Sequence, residues 1–85
     1  MNGKARVAIE YCEECLFLGR ALEVAQAVLE RFPRDLEAVE LRPGHDGVFT
    51  VTLDGDPIFR IGEDGRPPAP EEVVRRLEPR LQRAV

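Results

Sequence analysis

The stretch from Leu16 to Phe32 repeats its apolar residues at intervals of three and four, and it lies between two runs that alternate every second residue. No other feature constrains the fold as much. A strand, then a helix, then a strand form a βαβ unit. Such a unit crosses over right-handed and makes its two strands parallel neighbours of one sheet. The first alternating run is Lys4 to Tyr11, with Ala5, Val7, Ile9 and Tyr11 on one side and Arg6, Ala8 and Glu10 on the other. Val, Ile and Tyr favour the pleated surface, so this is strand one. Within the helical run, Leu18, Leu22, Ala25, Leu29 and Phe32 recur together with Ala21, Val24 and Val28. That apolar face is wide enough to predict a mostly covered helix. Pro33 ends it, because the residue before a proline avoids the helical region. Gly19 is either a cost of up to ~1 kcal/mol relative to Ala or a point of close approach.

The short run Leu36–Arg42 predicts strand two, and the Pro-Gly-His-Asp-Gly segment after it predicts a break. Val48–Leu53 alternates cleanly as strand three. Asp54-Gly55 is the pair that a two-residue type I′ hairpin requires, and Asp56–Ile61 returns as strand four. Pro57 lacks a ladder donor and assigns strand four to a sheet edge. Gly62–Pro70 is a polar, proline-rich loop, in which Pro67-Pro68-Ala69-Pro70 reads as a rigid connection. The final segment Pro70–Val85 is a second amphipathic helix, with Pro70 suited to its first position and Glu71 and Glu72 complementing its positive end. Pro79 is expected to break or kink it.

The order strand, helix, strand, strand, strand, helix gives an α/β (α+β) two-layer architecture, a four-stranded mixed sheet packed with two helices. Strand one is expected to be central, with strand two parallel to it and the hairpin on its other side. The Arg42–Asp46 loop must then cross one end of strand one. Five extended residues span roughly 15 Å, against a gap of about 10 Å for two strand spacings.

At 85 residues the chain has room for one core, and residues 1–85 are expected to form a single domain. Net charge is −4, and the basic residues are interspersed with acids, which argues against a nucleic-acid partner. No apolar leader or membrane-length run is present, which leads to an expectation of no membrane association and a cytoplasmic setting. In a reducing compartment, Cys12 and Cys15 in C-x-x-C spacing point to redox or metal chemistry more than to a structural bridge.

Strand one ends beside Cys12, and the helical run opens beside Cys15, so the pair belongs at the carboxyl end of a parallel strand, where open α/β sheets place their chemistry. A dithiol at this spacing can close a small disulfide ring, and the helix start favours a thiolate by ~0.3–1 kcal/mol, or up to ~2 when partly buried. Glu13 and Glu14 oppose it. At roughly 6 Å in water each carboxylate contributes on the order of 0.7 kcal/mol, so that together they disfavour the thiolate about tenfold. The opposing effects nearly cancel and predict thiols of ordinary acidity. An inert buried pair remains an alternative. Zinc needs four ligands, and His45 is the one histidine, which disfavours a site within one chain and leaves a zinc-bridged homodimer as a third reading. His45 itself reads as a solvated loop residue. No cofactor is implied.

Several motifs, V-x-I-E-Y-C-x-x-C from Val7, F-P at Phe32-Pro33, L-x-P-G at Leu41–Gly44, G-V-F-x-V-T at Gly47–Thr52, and the P-E-E-V helix start at Pro70–Val73, together resemble the selenoprotein W-like (Rdx) family of the thioredoxin-like fold. The resemblance runs from Val7 to about Leu77 and is that of a cysteine-containing bacterial-type member. It implies a thioredoxin-like β-α-β-β-β-α domain and a thiol-based redox role. Cys12 and Cys15 would be its reactive pair, Cys15 standing where selenocysteine occurs in relatives that have it. The resemblance further implies protein thiols or disulfides as partners, with glutathione or a thioredoxin system suggested. A non-catalytic, redox-sensing binding module is the alternative. The sequence departs from the family at Glu13-Glu14, where the inner pair is usually small or neutral, and at Gly65–Pro68, where Phe-Pro is frequent.

Overall fold

The computed structural model describes residues 4–61 and 65–81. Its elements are β1 (Ala5–Cys12), α1 (Leu18–Arg31), β2 (Leu36–Gly44), β3 (Phe49–Leu53), β4 (Asp56–Arg60) and α2 (Pro70–Leu81). The sheet order is β2-β1-β3-β4. β1 runs parallel to β2 and antiparallel to β3, which pairs antiparallel with β4. The expected architecture, with strand one central and strand four at an edge, is the observed one.

Alternation decides which face is buried. Val7, Ile9 and Tyr11 of β1 point inward with Phe49, Val51 and Leu53 of β3, while Arg6 and Glu10 are exposed. The inward residues join Ala21, Val24, Ala25, Val28 and Phe32 from the α1 side and Val73 and Leu77 of α2 in one cluster. Both helices therefore cover a single face of the sheet. In β2 the apolar residues Leu36, Val39 and Leu41 break a period of two. A register shift between Ala5 and Arg6 leaves Glu37 without a residue opposite it on β1 and brings all three to the covered face. Asp54 and Gly55 both have positive φ (51 and 89), as a type I′ hairpin requires.

Five expectations are corrected. α1 begins at Leu18, not Leu16, because Leu16 adopts a left-handed backbone (φ 63) that a helix cannot continue through. The helix is covered on one side only, with Leu18, Leu22 and Leu29 45%, 51% and 47% exposed, because no second layer exists beyond it. β2 continues through Pro43 to Gly44, since an edge strand tolerates a missing donor. The crossing to β3 is consequently made by residues 45–48 rather than by Arg42–Asp46, with Asp46 and Gly47 at positive φ. Lastly, α2 runs on past Pro79 to Leu81. Pro79 lies in the last turn and is exposed, where the loss of one backbone bond is tolerated. Residues 82–85, expected to finish this helix, lie outside the described residues.

Candidate functional site

Cys12 is the last residue of β1 and is fully buried, yet it is not part of the main apolar cluster. The pleat turns it away from Tyr11, and backbone bonds from two neighbouring segments bracket it. The Cys12 N–H donates to the Val48 carbonyl (2.7 Å), and the Glu13 N–H donates to the Gly44 carbonyl (3.0 Å). One acceptor ends β2 and the other is the last residue of the 45–48 crossing, so that crossing arches over the end of β1. Gly44 is buried there with little room to spare. A Cβ at this position would lie 2.9 Å from Glu10 Oε2 and from Val48 Cγ1.

The chain then turns sharply. The Leu16 N–H donates to the Glu13 carbonyl (3.2 Å), and the Phe17 N–H reaches back to the Cys12 carbonyl (3.4 Å). The ring of Phe17 packs edge-on against that of buried Phe49, with centroids 6.2 Å apart, and pins the turn to β3. This geometry brings the Cα atoms of Cys12 and Cys15 to 5.3 Å, and their sulfurs are joined in a disulfide. That separation lies within the usual disulfide range. The two cysteines are unequally accessible. Cys12 has no exposed surface, whereas Cys15 sits half-buried in the turn. Cys15 also precedes α1 by three residues instead of entering it, which weakens the helix dipole's influence on its sulfur, since that influence fades within a turn.

Glu13 and Glu14 are exposed, and His45 lies opposite Glu14, with Nδ1 3.3 Å from Glu14 Oε1. The imidazole is 71% exposed, as a solvated loop residue would be, but the arching loop brings it to the rim of the site. The signal for that proximity was in the sequence. A short connection between strands on opposite sides of β1 has to pass over the end where the cysteines sit. The Gly65–Ala69 segment approaches the start of α1, where the Arg20 guanidinium donates to the Pro68 carbonyl (2.9 Å) and also pairs with Glu23 at 3.1 Å. Among the described residues, no group of three or more His, Cys, Asp or Glu side chains converges as a metal site. No described helix is long and apolar enough to cross a membrane.

A mixed sheet under two helices, with a C-x-x-C disulfide at the carboxyl end of its central strand, defines a small thioredoxin-like scaffold. The chain belongs to the Rdx family, whose model matches residues 6–79. A crystal structure of a Bordetella parapertussis protein superposes with a TM-score of 0.85 at 37% identity, covering 93% of this chain and all of that one. A selenoprotein W-related protein from Vibrio cholerae superposes with a TM-score of 0.85 at 26% identity, covering 93% of this chain and 99% of its own. Migration and invasion enhancer 1 from Bos taurus is 35% identical over 72 residues, 85% of this chain and 61% of that protein. Its Mus musculus counterpart is 32% identical over 71 residues, 84% of this chain and 60% of its own. The chain thus spans about three fifths of the length of these curated relatives.

Proposed function

We propose that the chain is a thiol–disulfide exchange protein in which Cys15 meets the partner and Cys12 resolves the mixed disulfide. The unequal burial of the two bonded sulfurs' residues carries this reading. In the reductive direction the Cys15 thiolate attacks a partner disulfide, forms a Cys15–partner disulfide and expels the partner's other sulfur as a thiolate. Cys12 then loses its proton and attacks the Cys15 sulfur. The internal disulfide closes, and the second partner sulfur leaves. Two electrons and two protons pass from the dithiol to the partner. Protein thiols or disulfides, or a thioredoxin system, are the corresponding partners, and a reducing compartment such as the cytoplasm is the corresponding setting.

Trapping tests the assignment. With a small aromatic disulfide as partner, Cys12→Ser should accumulate a stable mixed disulfide at Cys15. Cys15→Ser should react at least tenfold more slowly through Cys12, and mass spectrometry of the adducts reads both. Equal trapping, or faster trapping at Cys12, overturns it. A second reading, a binding module that senses redox state, draws on the bonds that tie the disulfide turn to the 45–48 loop. It predicts oxidation-dependent binding without turnover.

A further inference from the structure

We propose that the site selects partner cysteines flanked by cationic and apolar residues, and discriminates against glutathione and other anionic thiols. This rests on the exchange reading and specifies its substrate class. Three observations converge on it. Cys15, the accessible sulfur residue, follows two exposed carboxylates in the chain. Glu13 has no ion-pair partner among the described residues, and the partner of Glu14 is His45, an imidazole charged only when protonated. The nearest guanidinium along the chain, that of Arg20, is already engaged by Glu23 and the Pro68 carbonyl. Next in the chain after Cys15, Leu16 is 86% exposed, and Leu18 and Leu22 at the start of α1 are 45% and 51% exposed.

The chemistry gives this arrangement a direction. Exchange passes through a transition state in which negative charge is spread over three sulfurs, and the attacking group is itself a thiolate. Carboxylates beside that charge oppose it. A cation carried by the partner lowers the repulsion and pairs with the acids directly, while an anionic partner meets repulsion from both. Glutathione carries more carboxylates than ammonium groups and has no apolar side chain to set against Leu16. For two carboxylates about 6 Å from one partner charge, at the dielectric of water, the effect is roughly tenfold per charge. Because these groups are exposed, salt screens them, with a Debye length of about 8 Å at physiological ionic strength and about 3 Å at 1 M.

The oxidised protein should be mixed, at mildly alkaline pH, with three reduced peptides that differ only in one residue beside cysteine, Lys, Gln or Glu. The remaining neighbours are Leu, and glutathione serves as a fourth thiol. Release of the dithiol form is followed by mass spectrometry. The Lys peptide should react about tenfold faster than the Gln peptide and the Glu peptide about tenfold slower, with glutathione among the slow thiols. High salt should compress the series. In the Glu13→Gln, Glu14→Gln double variant the series should narrow to that seen with a small neutral disulfide, and with both replaced by Lys it should narrow beyond it. The ratio between peptides is the readout, because either substitution also changes the absolute rate. Equal rates across the peptides with the unaltered protein, or a preference undiminished in the Gln variant, overturn the proposal while exchange itself stands. No reaction with any of the four thiols overturns the exchange reading, and the proposal with it.

Discussion

Leu16 holds a left-handed backbone with its side chain almost wholly in solvent. An L-residue there costs roughly 1–2 kcal/mol, and so exposed a leucine recovers little of that by burial. Leu16→Gly should therefore raise the stability of the oxidised protein by about 0.5–1 kcal/mol, after allowing for the freedom glycine adds to the unfolded chain. Urea unfolding measures it, and a loss of stability would show that the leucine is held by packing. The acids are the second local feature. In the reduced protein, replacing Glu13 and Glu14 by Gln should raise the thiolate fraction of the reactive cysteine about tenfold at neutral pH. Iodoacetamide rates across pH would register this, and an unchanged profile would mean that the carboxylates point away from the sulfur. Neither the backbone of Leu16 nor the edge-on packing of Phe17 against Phe49 was legible in the sequence. Position 16 carries no glycine or asparagine to mark a left-handed residue, and Phe17 fits the helical period as well as it fits an anchor.

The elements themselves were largely written in their periods. β1, β3 and the Asp54-Gly55 turn follow from strict alternation and from turn chemistry, and Pro57 announced an edge. Boundaries failed where two signals overlapped. The helical period of α1 begins at Leu16, but the disulfide turn claims Leu16 and Phe17 first. The apolar stripe of α1 also overstated its covering, since periodicity records which residues are apolar and not how many layers exist to cover them. Pro43 and Pro79 lie where one missing bond is cheap, an edge strand and a final turn, so neither ended its element. Gly19 offered a choice between close approach and plain cost, and nothing lies within 4 Å of a Cβ built there. Gly19→Ala should accordingly stabilise the protein by about 0.5–1 kcal/mol. Thermal unfolding would detect this as a rise of several degrees, and a fall in melting temperature would reveal a contact made only in solution.

For the molecule as a whole, the disulfide is a minor staple. A loop this short removes little freedom from the unfolded chain, and the loop-entropy estimate is about 2 kcal/mol. Reduction should lower the melting temperature by roughly 8–16 °C without unfolding the chain at ambient temperature. Calorimetry of the two redox forms tests this, and collapse on reduction would mark the bond as structural and exclude cycling. The sheet order, with an early strand in the middle, was legible because a βαβ unit and a hairpin leave few ways to share one sheet. That order also determines when the site can exist. β1 precedes the other three strands, and its antiparallel partners lie far along the chain, from Tyr11 with Phe49 to Val7 with Leu53. Pairings so distant in sequence form late. During translation the two cysteines emerge ahead of β2 and β3 and remain on an unpaired strand until those strands have followed them from the ribosome. The nascent chain must therefore pass through a window in which both thiols are open to any oxidant, and assembly of the sheet closes it.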